Sequence, residues 1–348
     1  MALLFEVMIS NKVRLIVYLL GFGGAALFTI LLIREGAAQI GSAIATAGWA
    51  LLAVIAYHFL IPLFLDSVAW SVLFPATGRP PLRKLYWMRW IGESVSTLVP
   101  SAAVGGDIVR ARLATNHGAP VATAAATVIV DLTLGVFTQA VFALVGLVLL
   151  VNATGQHNFV GPTIVGIIAG VVAVGGFYFV QRLGMFGFLA RMIAKLANSP
   201  DWQSLIQGGR AFDEAVRSLY SQRRKVMICS GLTIASFVLS SGEVWIALWA
   251  LSLHATIVNA VILQSMAFAI RSAAFAVPAG LGVQEGCYVI VACLLGIAND
   301  SSKCGELGFA LSMIARVREL GFGIPGLIAW QFVEGRRLLL KRLEPPAS

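Results

Sequence analysis

Between Val121 and Val151 the chain carries one charged side chain, Asp131, in a stretch long enough to cross the hydrocarbon core of a bilayer. Apolar runs of the same kind recur at about Val13 to Ile33, Ile44 to Phe74, Phe159 to Val180, Val226 to Leu251 and Glu306 to Val333. Inside a membrane a segment must pair its own backbone polar groups, so such runs are helices. The expected fold class is therefore all-α: a polytopic membrane protein with six full spans, one transmembrane domain over residues 1–348. The composition agrees, with 59% hydrophobic residues, 12% charged residues and a mean hydropathy of +0.88. The first run is too long for the apolar core of a signal peptide and is expected to stay as an anchor.

A net charge of +9 could point to nucleic acid, but the Lys and Arg residues fall mainly in short segments between apolar runs, as cytoplasmic loops require. Nucleic acid is excluded as a partner on that ground. Lys12 and Arg14, then Arg79, Arg83, Lys84 and Arg89, then the stretch from Arg182 to Lys225, and last Arg336, Arg337, Lys341 and Arg342 are placed on the cytoplasmic side. The "NATGQHN" turn after Val151 has no Lys or Arg and is placed opposite. Both termini come out cytoplasmic. The 181–225 linker contains Phe186, Leu189, Ile193 and Leu196 near one helical face, which fits an interfacial helix; a solvated linker is the alternative. The four cysteines (Cys229, Cys287, Cys293, Cys304) show no metal or disulfide spacing and read as small core residues. No cofactor, metal or catalytic residue is implied.

Two segments do not fit plain spans. "ESVSTLVPSAAVGGD" and "RSAAFAVPAGLGVQE" are polar and broken by proline and glycine, and broken backbone at membrane depth survives only inside protein or beside water. Both are expected to be re-entrant hairpins of half-helices. Placing Pro100 on Pro278 sets Glu93 on Arg271 and Asp107 on Glu285, each carboxylate seven residues past its proline. The same offset maps the second span onto the fifth and the third onto the sixth, with opposite directions by the charge rule. Residues 44–151 and 222–333 thus read as inverted repeats, the pattern whose interface holds a transporter's substrate.

That places a candidate substrate site at Glu93, Pro100, Gly105, Gly106, Asp107, Arg110, Arg271, Pro278, Gly280, Gly282 and Glu285, joined by Arg316, Arg318 and Glu319 of the last span. Half-helix N-termini there suit an anionic group, and the glycines let backbone approach a ligand. Asp107 and Glu285 can also serve simply as helix caps. Other charges lie within spans: Asp131, Glu243, Arg316, Arg318 and Glu319. Each would cost about 2.5–3.5 kcal/mol facing lipid, so they are expected to face an interior cavity. Arg316 and Glu319 can pair on one helix surface, and Glu93 can pair with Arg271 as a gate. Asp131 and Glu243 are the candidate proton carriers. For His58, two readings stand: a relay with Asp66, or a bond to a backbone carbonyl.

At "PSAAVGGDIVR" and "VPAGLGVQEG" the chain resembles the flippase-like transmembrane family of lysylphosphatidylglycerol synthases, which includes stand-alone members linked to hopanoid biosynthesis. The resemblance implies a bacterial inner or plasma membrane protein that moves a lipid between leaflets. The cargo would be an anionic or aminoacylated lipid, a hopanoid or a polyprenyl-linked lipid. A membrane lipid is the implied partner, with lipid-biosynthesis enzymes as further candidates. The synthases carry a soluble aminoacyl-transfer domain after the membrane part; here a short basic tail follows Val333, so transport without lipid aminoacylation is expected. The rival readings are a membrane-embedded lipid-modifying transferase, an ion channel or exchanger, and a non-transporting scaffold.

Overall fold

The structure is a computed structural model that describes residues 48–98, 104–155, 175–183, 202–251, 255–273, 282–297 and 304–343, together with 161, 170, 172 and 253. The expected first span, most of the fourth, the Phe186–Leu196 stretch, and Pro100, Pro278 and Gly280 lie outside the described residues. Every regular element among the described residues is an α-helix.

Ten helices are numbered in chain order: α1 (Ala50–Leu60), α2 (Pro62–Leu73), α3 (Leu82–Leu98), α4 (Val104–Asn116), α5 (Val121–Thr154), α6 (Trp202–Ser221), α7 (Arg223–Ala250), α8 (Ile257–Ala273), α9 (Val283–Leu294) and α10 (Cys304–Leu343). Under the offset that sets Pro100 on Pro278, α1–α2, α3, α4 and α5 fall on α7, α8, α9 and α10. Among the described residues, three stretches are long and apolar enough to cross a membrane: Ala50–Leu73, Val121–Thr154 and Arg223–Ala250. The expected sixth span lies within α10, whose middle carries Arg316, Arg318 and Glu319.

Within the expected second span, Pro62 interrupts the helix. It has no N–H to donate and its ring clashes with the preceding turn, so the chain restarts as α2 after Ile61 (φ −116°, ψ −71°). The break has a consequence for packing. Val54 of α1 belongs to one hydrophobic cluster, with Leu248, Ile262, Leu263, Tyr288 and Ile314. Trp70 and Leu73 of α2 belong to the other, with Leu85, Met88, Ile91, Val128 and Val130.

The long helices run through both clusters and in opposite senses. α7 begins at Cys229 in the Trp70 cluster and ends at Leu248 in the other, whereas α1–α2 runs the reverse way. α5 starts in the Trp70 cluster (Ala124, Val128) and reaches the second at Leu150; α10 starts in the second (Leu311, Ile314) and packs Ala329 and Trp330 against the first. The short helices stay at one end each. α3 and α4 pair beside the first cluster, and α8 and α9 beside the second. At about 1.5 Å per residue, these helices of 17, 13, 17 and 12 residues measure about 18–26 Å, short of the roughly 30 Å hydrocarbon core.

Part of the 181–225 linker is packed rather than solvated. In α6, Val216, Leu219 and Tyr220 are buried in the first cluster, and the helix lies on α5. The Tyr220 hydroxyl donates to Gln181 Oε1 at 2.7 Å, and Gln181 Nε2 donates to Thr133 Oγ1 at 3.0 Å, which ties this layer to α5.

The reading of all four cysteines as core residues needs one correction. Cys229 and Cys287 are buried thiols, but Cys293 at the end of α9 and Cys304 at the start of α10 form a disulfide. α9 and α10 pack against each other, bringing the Cα atoms to 5.0 Å, a proximity that sequence spacing does not reveal.

Candidate functional site

Interior charges gather into two networks. In the first, Asp131 of α5 is the centre. Its Oδ2 accepts from Arg89 Nη1 of α3 at 2.6 Å and from Arg110 Nη2 of α4 at 2.7 Å. Arg110 Nη1 also donates to Asp107 Oδ1 at 3.0 Å, one helical turn back, and its guanidinium lies 4.3 Å from the Trp70 ring centroid. Arg89 Nη2 reaches Asp66 Oδ2 of α2 at 3.4 Å. Three carboxylates and two guanidiniums from four helices are thus locked together, which is how ionised groups survive away from water.

The second network is larger and is drawn from α1, α3, α7, α8, α9 and α10. Its spine begins at Glu93 Oε1, 3.1 Å from His58 Nε2. His58 Nδ1 lies 2.8 Å from Glu243 Oε1, and Glu243 Oε2 accepts from Arg318 Nη1 at 2.5 Å. Arg318 Nη2 lies 3.7 Å from Glu319 Oε1, which also accepts from Arg271. A branch runs from Glu319 Oε2 to Arg316 Nη1 at 2.9 Å, and from Arg316 Nε to Glu285 Oε1 at 2.7 Å.

Exposure along this spine is uneven. The side chains of Glu93 and Arg271 are 32% and 29% exposed, while those between them are 13% or less. The accessible ends are the two residues that coincide when the repeats are overlaid, one an acid and one a base. They do not pair directly, as the sequence reading expected of them. Four interposed residues link them, because α3 and α8 sit at opposite ends of the long helices.

Local structure explains the motif residues. Glu285 occupies the first turn of α9 and its Oε2 accepts from the Gly282 N–H at 2.7 Å; Gly282 has φ 80°, which a side chain would strain. Its other oxygen takes Arg316, so the residue caps the helix and enters the charge network together. Gly106 serves a different approach from the one expected. A Cβ there would run into the backbone carbonyl of Gly92, and one at Gly92 would lie 2.9 Å from Gly106 O. The glycines bring α3 and α4 backbone to backbone, which carries Arg110 past Gly92. Gly105 is part of the same first turn of α4.

A family model for the lysylphosphatidylglycerol synthase TM region matches residues 13–311. The chain belongs to that family. Comparison with curated proteins and with solved structures found no match. As a member of the lysylphosphatidylglycerol synthase TM-region family with an apolar, all-α fold, it is an integral membrane protein. The family match covers the first eight residues of α10 and ends before Arg316, Arg318 and Glu319, so the arginine partners of Glu285 and Glu243 lie beyond it.

Against the sequence reading, the structure gathers Glu93, Glu243, Arg271, Glu285, Arg316, Arg318 and Glu319 into one network, and Asp107, Arg110 and Asp131 into the other. The Arg316–Glu319 pair forms as its spacing required. Neither reading of His58 holds: its nitrogens face Glu243 and Glu93, while Asp66 is engaged by Arg89. Asp66 and His58 sit on opposite sides of the Pro62 break, which takes them to different networks. Arg89 is a member the sequence reading placed in a cytoplasmic loop; its position inside α3, four residues before Glu93 on the same helical face, was the available signal.

Proposed function

We propose that the protein carries a lipid between the leaflets of the membrane without modifying it. The observation behind this reading is the charge spine from Glu93 to Arg271. It is costly to bury, it is accessible at its two ends, and those ends belong to equivalent positions of two helix sets that run in opposite senses. Half-length helix pairs at the two ends of the bundle support two re-entrant hairpins in an inverted repeat, residues 44–151 and 222–333. In that arrangement, rocking one set against the other would expose the spine to each side in turn.

Arg271 offers a planar guanidinium suited to a phosphate, and Glu93 a carboxylate suited to an ammonium. The cargo this favours is a phospholipid with an anionic or aminoacylated headgroup; a hopanoid or polyprenyl-linked lipid is the alternative. Asp107 and Arg110 hold the mouth of the first hairpin through Asp131. The disulfide supports the orientation expected from the basic residues. It joins the end of α9 to the start of α10, which that orientation places away from the cytoplasm, where thiols oxidise and stay oxidised. A bacterial plasma membrane with both termini cytoplasmic fits this pattern.

The test is reconstitution into vesicles containing fluorophore-labelled phosphatidylglycerol, with external quenching to follow leaflet exchange. Exchange faster than in protein-free vesicles is expected. Ion flux without exchange of any labelled lipid would replace the reading with a channel or exchanger.

A further inference from the structure

Resting on the transport reading, we propose that His58 is the proton-binding site that couples lipid movement to a proton gradient, bridging Glu93 and Glu243 when protonated and releasing Glu93 when not. The ring geometry carries this. Both nitrogens face carboxylate oxygens, Nδ1 to Glu243 at 2.8 Å and Nε2 to Glu93 at 3.1 Å. An ionised carboxylate only accepts, and a neutral imidazole has one N–H, so closing both contacts takes one more proton than a neutral ring supplies. The closed bridge therefore counts one bound proton.

Charge balance leads to the same number. The second network holds four carboxylates (Glu93, Glu243, Glu285, Glu319) and three guanidiniums (Arg271, Arg316, Arg318). A protonated His58 supplies the fourth positive charge and brings this network to neutrality. The groups facing the ring from the helices around it are Glu243 on α7, Glu93 on α3, and Arg318 on α10 with Glu319 behind it. Asp66 on α2 is occupied by Arg89. Arg318 Nη1 is 3.2 Å from Nδ1 and donates to Glu243, and the Phe322 ring packs edge-on at 4.6 Å between centroids.

When the proton leaves to the aqueous side, one ring lone pair is left facing a carboxylate. Glu243 remains held by Arg318, and it is the more buried of the two acids, so Glu93 is the one that lets go. Glu93 lies in the last turns of α3, and its release removes the ionic contact between α3 and α1, leaving the Tyr86 bond to the Phe59 carbonyl and the Phe59–Trp90 ring contact as a pivot between them. The proton thus acts on one hairpin, the element that has to move for the other side to open. Asp131, the other candidate, already takes two guanidinium donors on one oxygen and has no place in such an exchange.

The experiment uses the full chain in vesicles with labelled phosphatidylglycerol and an imposed gradient. One coupled proton lets a gradient of about one pH unit shift the steady-state leaflet ratio up to about tenfold. A gradient-dependent ratio in wild type and an even split in His58→Gln are expected. An equal gradient response in both, or wild-type exchange that ignores the gradient, overturns the coupling and leaves transport standing. No lipid movement at all sinks the transport reading instead. A second measurement covers a variant that fails to fold: ¹⁵N-imidazole spectra of the wild-type chain in lipid nanodiscs, compared with each of the other three histidines replaced. The His58 ring should change between two protons and one between about pH 5 and pH 9, and a ring with a fixed proton count across that range overturns the proposal.

Discussion

Breaking the Glu285–Arg316 pair should be expensive, and by an amount the geometry bounds. Glu285 is 6% exposed and uses both oxygens, one for the Arg316 Nε–H and one for the Gly282 N–H, each at 2.7 Å. Glu285→Gln keeps the shape and one acceptor oxygen but removes the charge. Hydrogen bonds to charged groups contribute about 1.5–3 kcal/mol each, and Arg316 keeps Glu319 as a partner, so a loss of about 2–3 kcal/mol is expected. Arg316→Met strips a counter-ion from both Glu285 and Glu319 and should cost about 3–5 kcal/mol. The double variant should lose less than the sum, with a coupling energy of about 2 kcal/mol. Exposed Glu306→Gln should stay within about 0.5 kcal/mol. Reversible unfolding in mixed micelles, followed by tryptophan fluorescence, reads all four. A coupling energy below about 0.5 kcal/mol would refute the claim that this pair is a desolvated contact.

Gly106→Ala should destabilise the protein by about 1–3 kcal/mol, because the new Cβ meets the rigid Gly92 carbonyl, while Gly135→Ala, with open space around it, should be neutral or slightly stabilising. Equal melting temperatures for the two variants in nanodiscs would contradict the α3–α4 contact. Cys293→Ser with Cys304→Ser should cost about 2–3 kcal/mol for a closed loop of this size, and in the native chain a membrane-impermeant maleimide should react from the non-cytoplasmic face only after reduction. Labelling without reductant would show that the bridge is absent. Tyr220→Phe should cost about 1 kcal/mol by removing the bond to Gln181; no change would mean that α6 is held by its apolar face alone.

Much of the architecture was readable in advance, and for a common reason. Helix positions follow from local signals, apolar length and proline and glycine breaks, and the constant spacing of Asp107 and Glu285 after their prolines is what suggested the repeat. The offset drawn from those motifs also places α3 on α8 and α4 on α9. What escaped depends on which faces meet. His58 contacts residues 35 and 185 positions away, and no periodicity encodes that encounter. Pro62 was visible, but its effect, sending α1 and α2 into different clusters, depends on the neighbours. The Cys293–Cys304 bridge needs α9 packed on α10, and the role of Gly106 needs Gly92 opposite. The interior charges were recognised singly from their cost; their order along the spine comes from six helices converging.

The most direct test of the spine is the rate of labelled phosphatidylglycerol exchange in vesicles for wild type, Glu93→Gln and Arg271→Gln. Loss of one charge-assisted contact, about 1.5–3 kcal/mol, corresponds to a roughly 10- to 100-fold slower rate if the two accessible ends engage the headgroup. Folded variants slowed by at least about tenfold are the predicted result. Wild-type exchange rates in both folded variants would contradict the account.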